Sequence, residues 1–306
     1  NHRIVLTNKT RKAGRIVTAD AVKIGGGMGN IARMPHPEGF EEENTKSSDR
    51  LADKQKLRPA VSFEPEISGY PRYTEGSRYW LQWAGAPDSI YNRSESKNDY
   101  TDDYQSRGFW VNYLAGGSSV LPREQGLHIP VDLAFAFHSD AGTTLNDSII
   151  GTLGIYMTHH NDEHFENGRS RWASRDLTDL IMDEIVSDIR REFEPNWTRR
   201  HMWNRSYSEA RVPNVPTMLL ELLSHQNLAD MRYGLDPTFR FTVSRAIYKG
   251  MLKFIAGQYN RPYVVQPLPV QQFSAAFTGE TGIELKWEET PDAAEPTAKE
   301  QQYIIY

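Results

Sequence analysis

The chain has no cysteine in its 306 residues, which excludes disulfides, thiolate metal ligands and a cysteine nucleophile together. Any metal must then rest on His, Asp or Glu. Excess positive charge is also missing. With 35 Lys and Arg against 40 Asp and Glu the formal net charge is -5, so no global positive field exists to hold a nucleic-acid backbone or an anionic membrane. No nucleic-acid partner is expected. No apolar run approaches the roughly 20 residues of a membrane-crossing helix, so no membrane span is expected. No charged-then-apolar leader opens the chain. The first residue is Asn1 rather than Met, as in a processed product or an excised piece, and a leader could have been lost upstream.

What is present is enough for a globular core, either one large domain or two to three small ones. Two short strands are predicted, Arg3 to Thr7 and Arg15 to Ile24, joined by a polar turn. A glycine run, Gly25-Gly26-Gly27-Met28-Gly29, follows them. No Lys-Ser/Thr comes after it and no G-x-G-x-x-G frame opens a helix, so a flexible exit from a sheet is preferred to a phosphate loop. From His36 to Glu66 the composition turns to Glu, Lys, Ser, Asp and Pro, and 28–69 reads as a solvated linker or loop.

From Tyr70 structure resumes, with a short helix over Glu75 to Trp83. Strands and helices then alternate, the pattern of a mixed α/β sheet. Pro130 to Phe137 is a near-continuous apolar run, as in a buried central strand, and Gly151 to Tyr156 is the next strand. In the helix predicted over Ala173 to Phe193, Leu177, Leu180, Ile181, Ile185 and Ile189 recur at three- and four-residue spacing. Thr217 to Leu223 is a further buried strand and Phe239 to Ala256 a closing amphipathic helix. After Tyr263 the chain turns proline-punctuated, then predicts two β-strands, Gln272 to Phe277 and Gly282 to Trp287.

Two positions carry chemistry. In AFAFHSDAG, residues 134–142, a strand delivers His138 at its C-terminal end, where ligands and catalytic groups collect in α/β sheets. A neutral imidazole there can bind a metal, with Ser139 and Asp140 close by to support it. A structural histidine is the alternative. In VPTMLLELLSHQN, residues 215–227, Glu221 interrupts an apolar run. A carboxylate buried there is costly without a partner, and desolvation lifts its pKa toward the range useful for proton transfer. The competing reading puts it on the wet face of an edge strand.

These segments resemble the zinc-dependent N-acetylmuramoyl-L-alanine amidase family. FHSDAG followed by GTLGIY is similar to that family's zinc-histidine strand and the strand after it, and VPTMLLELLSHQN to the segment bearing its catalytic glutamate. The resemblance spans residues 70–258, with Arg93, Arg107 and Asn112 in family-like positions, Ser174 opening the long helix and 235–255 as the closing helix. It implies an amidase-like α/β fold, zinc as cofactor, His138 as metal ligand and Glu221 as general acid/base. It further implies peptidoglycan or another glycan as substrate, and a secreted, periplasmic or cell-surface location. The family's first ligand lies in a GHGG-type loop, which this sequence lacks, so that ligand is expected upstream of Asn1. Glu75 is the visible candidate for the carboxylate ligand.

At the ends, RIVTADAVKI resembles the closing strands of golvesin and xanthan-lyase type β-sandwiches, and 264–306 the opening strands of a fibronectin type III module with Trp287 as its early Trp. The expected organisation is therefore sandwich strands over 1–27, a linker over 28–69, a catalytic domain over 70–263 and an incomplete β module over 264–306. The expected fold class is α/β, a mixed and mostly parallel sheet flanked by helices, with partial β-sandwich segments at both ends.

Other groups compete for a role. His159, His160 and His164 cluster in THHNDEH, within a polar loop. Trp197 to Arg205 could form a glycan or peptide rim in which Arg200 and Trp203 bind substrate, or could simply pack its tryptophans. His225, four residues after Glu221, could line the site. Two other functions remain open, a polysaccharide-active protein of xanthan-lyase type and a non-catalytic glycan-binding module.

Overall fold

The computed structural model describes residues 76–304, apart from Ser96 and Glu280. The predicted N-terminal strands, the glycine run, the linker and Glu75 lie outside the described residues.

Among the described residues three helices come first: α1 (Ser77–Trp83), α2 (Asp88–Tyr91) and α3 (Asp99–Ala115). Asn98 caps α3 by accepting from the Thr101 amide at 2.9 Å, and Gly116, at φ 122°, ends it. Leu81, Ile90, Phe109 and Leu121 bury one another there in a small cluster of their own.

Among the described residues four strands make the main sheet: β1 (Ala134–Asp140), β2 (Leu153–Tyr156), β3 (Trp203–Asn204) and β4 (Thr217–Ser224). Their order is β1-β4-β2-β3. β1 runs parallel to β4 and β2 parallel to β3, while β2 and β4 are antiparallel. The protein is therefore α/β with a mixed, mostly parallel sheet flanked by helices.

One expectation is corrected. The run Pro130 to Phe137 is not a buried central strand: the ladder begins at Ala134, and β1 lies at the edge of the described sheet with Phe137 58% exposed. Only β4 pairs with it among the described residues, so apolarity alone did not reveal an open edge.

The long helices α4 (Trp172–Glu192) and α7 (Pro237–Gln258) pack on one face of the sheet. The spaced Leu177, Ile181, Ile185 and Ile189 meet Phe239, Val243, Ala246 and Phe254, with Met218 and Leu220 from β4 beneath them. A Cβ on Gly250 would stand 2.6 Å from the Ile181 Cα, so that glycine sets how closely the two helices cross. Short helices α5 (Ser208–Arg211) and α6 (Leu228–Gly234) flank β4 in sequence.

The C-terminal residues form a hairpin of β5 (Gln271–Thr278) and β6 (Gly282–Glu288), with β5 exposed throughout and β6 largely so. Trp287 rests against Tyr303, ring centroids 5.0 Å apart. The segment beyond the hairpin returns to α7, where Asp292 pairs with Arg245 at 2.8 Å and Glu295 with buried Lys249 at 3.0 Å. No described helix is long and apolar enough to cross a membrane.

Candidate active site

β1 and β4 bring the two sequence candidates together. His138 is the register partner of Glu221, and directly paired residues of neighbouring strands project from the same face. Leu153 of β2 is the next partner along this row. The ladder then slips between His138 and Asp140, so that Asp140 stands opposite Ser224. Bulges of this kind re-aim side chains beside functional sites.

Glu221 Oε2 is buried with no hydrogen-bond partner among the described residues. Burial holds its carboxyl above the usual carboxylate range, and Asp140 and Glu209 add to this against the opposing pull of His138 and Arg200. That is the state a general acid/base needs.

Glu209, on α5, is a participant that sequence reading missed. Its Oε2 lies 2.9 Å from His138 Nε2 and its Oε1 3.2 Å from Arg107 Nη1. The hydrogen bond to Glu209 raises the His138 pKa against burial. Burial alone would raise the Glu209 pKa, but His138 and Arg107 outweigh it and hold the carboxylate ionised. Arg107 is fixed in turn by Asp103 at 3.2 Å. Helix-borne Glu209 sits in an unremarkable SEAR tetrapeptide, with no apolar run to mark it. Only the fold of α5 over the sheet brings it to His138.

Ser139 and Asp140 do not support His138 as expected. Alternation along the strand sends Ser139 to the other face, where its Oγ meets His225 Nδ1 at 3.1 Å. His225 is thereby turned from the Glu221 face. Asp140 binds Arg200 Nη1 at 2.5 Å, and the Arg200 guanidinium carbon lies 5.7 Å from the Trp203 ring centre. Arg200 and Trp203 therefore lie side by side, with Trp203 39% exposed. A cleft of about 700 Å³ runs beside β1 and α3, lined among others by Arg107, Val111, Leu133, Phe135, His138 and Glu209.

Asp230 was also missed. It is fully buried on α6 and accepts from the amides of Ile150, Gly151 and Ser224 at 3.0, 3.2 and 2.9 Å. It ties the end of β4 to the loop entering β2, and so fixes the strands that present Glu221 and Leu153.

His138 and Glu209 are donors of the right type for a divalent metal. Ligands of one tetrahedral zinc stand about 3.3 Å apart, close to the separation of this pair. Among the described residues, however, no three His, Asp or Glu side chains converge to enclose an ion, so a complete ligand set is not formed by them. The histidines of THHNDEH form no such set either: His159 pairs with Glu163 at 3.1 Å, and His160 faces cations.

No protein-family profile and no curated protein matches the chain. Solved structures similar to it include the N-acetylmuramoyl-L-alanine amidase from Clostridium difficile 630, at 15% identity over 56% of this chain and 80% of that one, with a TM-score of 0.37. The CwlD amidase from Clostridioides difficile, solved with the GerS lipoprotein, is 15% identical over 68% of this chain and 81% of that one, with a TM-score of 0.37. The catalytic domain of CwlV, an amidase from Bacillus (Paenibacillus) polymyxa var. colistinus, is 15% identical over 53% and 87%, with a TM-score of 0.31. At these values the likeness assigns no chemistry to any residue here.

Proposed function

We propose that this chain carries the proton-transfer side of an amide hydrolase acting on the N-acetylmuramoyl-L-alanine bond of peptidoglycan at or outside the cell surface. The observation that carries the reading is the buried, unpartnered oxygen of Glu221 beside His138 on neighbouring strands. The bond and the substrate rest on the motif resemblance of residues 134–142 and 215–227.

In this reading Glu221 takes a proton from the attacking water and returns it to the leaving amine. Its pKa, raised chiefly by burial, favours both transfers over those of an ordinary carboxylate. His138 and Glu209 would be two ligands of a zinc ion, to which the described residues add no third. When bound, zinc supplies a Lewis acid for the scissile carbonyl and lowers the pKa of its water. Arg107 keeps Glu209 ionised and fixed. Arg200 and Trp203 offer an arginine fork and an aromatic face to the peptide and sugar portions of the substrate.

The test is metal content together with muropeptide release from purified peptidoglycan, comparing the parent chain with Glu221→Gln. The reading stands if the parent holds zinc and releases muropeptides while the variant holds zinc and does not. A parent that releases nothing, with zinc supplied, overturns it.

A further inference from the structure

The sheet formed by the described residues has two edges, β1 and β3. Soluble proteins blunt a free edge by keeping it very short, or by placing charge, proline or a bulge along it. β3 is blunted: it has two residues, with Arg199 and Arg200 before it and Arg205 after it. β1 is not. Its first four residues, Ala134 to Phe137, carry neither charge nor proline, and its bulge comes only after His138.

The backbone groups left open on β1 follow from its pairing. The Ala134 amide donates to the Pro216 carbonyl at 2.8 Å, so Ala134 turns its backbone toward β4. Alternation along the strand turns Ala136 and His138 the same way and aims the amides and carbonyls of Phe135 and Phe137 off the sheet. Among the described residues β4 is the sole neighbour of β1, and these outward groups meet no partner. They recur at about 6.6 Å, twice the rise of a strand.

A cleft lies against this edge. The cavity of about 700 Å³ is touched by five consecutive residues, Ala134 to His138. Successive strand residues point to opposite faces, so a space that meets all five runs along the edge itself. Its other wall is one stripe of α3, with Gly108, Val111 and Leu114. Arg107 ties α3 through Glu209 to His138, which puts that wall on the His138 face of the strand. Ala134 and Ala136, on the same face, present only methyl groups to the cleft. From Ala134 to His138 the edge extends about 13 Å, four strand steps.

We propose that the β1 edge binds an extended polypeptide segment as an added strand, with Phe135 and Phe137 exchanging main-chain hydrogen bonds with it. Paired donors and acceptors at the strand repeat match a peptide backbone rather than the hydroxyls of a sugar. Residues of the segment opposite Ala134 and Ala136 project into the cleft against Val111 and Leu114, which favours apolar side chains there. The residue opposite His138 projects on the face that carries His138 and Glu221. A bound strand thereby walls one side of the candidate active site. That consequence rests on the amidase reading; the strand-binding edge does not.

The experiment titrates an acetylated and amidated heptapeptide, KTVTVTK, calorimetrically into the full chain, while NMR follows amide exchange at Phe135 and Phe137. Binding is expected to slow exchange at both amides. Two further peptides carry N-methyl groups on the threonines or on the valines. One should bind about tenfold or more weakly and the other like the unmethylated peptide, because only alternate residues face β1. With the valines in the cleft, loss on threonine methylation marks an antiparallel strand and loss on valine methylation a parallel one. Equal effects of the two methylations, or no binding of the unmethylated peptide up to about 1 mM, overturn the proposal. Phe137→Pro removes an outward amide and no bond to β4, and should abolish binding; binding that survives it overturns the site. Should that variant fail to fold, as judged by circular dichroism, the methylation pattern decides alone. Phe135 and Phe137 amides already protected in the free monomer show that the chain covers its own edge, and protection that appears only on dimerisation assigns the edge to a second copy. Either result overturns a site for a separate peptide. Muropeptide release is measured apart from binding, so strand binding by a chain that releases nothing sinks the amidase reading and leaves the edge site standing.

Discussion

Glu209 bridges His138 and Arg107, with one carboxylate oxygen 2.9 Å from the imidazole Nε2 and the other 3.2 Å from the guanidinium. A four-residue helix thereby locks an edge-strand histidine to α3, and the protonation of His138 becomes a property of the tertiary fold.

Replacing Glu209 by Gln should lower the His138 pKa, because the hydrogen bond to Glu209 is what raises it most and burial and Arg107 then act unopposed by that charge. The sign of the stability effect follows. A histidine whose folded pKa is raised contributes stability that is full below its unfolded value of about 6.5 and is lost as pH rises through the folded value. In chelator-treated protein Glu209→Gln should therefore cost about 1 kcal/mol at pH 6. The His138 share of that loss fades at alkaline pH, while the share from Arg107 persists. Two-dimensional NMR titration of His138 and melting curves across pH check both. An unchanged His138 titration would remove Glu209 from its assigned place.

Glu221→Gln is expected to lower activity by about 10²–10⁴-fold, the usual worth of a positioned acid/base, while leaving the fold intact. The carboxyl is held above its ordinary value chiefly by burial, so its folded-state stability is present below the unfolded pKa and lost as pH rises through the raised one. At pH 7 the amide variant should melt higher than the parent, and the two should converge below about pH 4. A variant that melts lower than the parent at pH 7 would mean that Glu221 is ionised and well partnered.

Much of this was legible in the sequence because burial leaves a periodic trace. The helix read from Leu177, Ile181, Ile185 and Ile189 is observed as Trp172–Glu192, and the strand around Glu221 as Thr217–Ser224. Both His138 and Glu221 were placed on strands by the sequence, but their direct pairing is a register that only the fold sets. What was not legible depends on where short polar elements fold. Glu209 has no apolar run around it to mark it, and Ser139 leaves His138 because strand alternation turns it away. The apolar run before His138 stands at the edge of the sheet formed by the described residues, and hydrophobicity says nothing of which ladder hydrogen bonds are made.

Lys249 should prove among the most sensitive positions in the chain. Its ammonium is almost fully buried and meets Asp188 at 2.8 Å, Glu295 at 3.0 Å and Glu184 at 3.1 Å, and these carboxylates keep it charged despite burial. Lys249→Met leaves the acids facing one another, a loss of about 3–5 kcal/mol for a broken buried ion pair. Denaturant unfolding measures it. Because Glu295 lies beyond the hairpin, amide exchange over 292–298 should also accelerate. Unaltered exchange there would show that the C-terminal segment is held by other contacts.

Gly250→Ala tests the crossing of α4 and α7. In an isolated helix alanine is favoured over glycine by about 1 kcal/mol, so the substitution is stabilising unless space forbids it. Here the added Cβ would lie 2.6 Å from the Ile181 Cα and 3.0 Å from its amide nitrogen, contacts that rotation of a side chain cannot relieve. The helices must part, loosening Ile181 and Ala246, both fully buried. Overpacking of this kind costs about 1–3 kcal/mol, and the net change should be destabilising. Since α4 lies beneath β4, release of muropeptides should fall at temperatures near the new midpoint and recover on cooling. A melting temperature equal to or above that of the parent would show that the two helices are free to move apart.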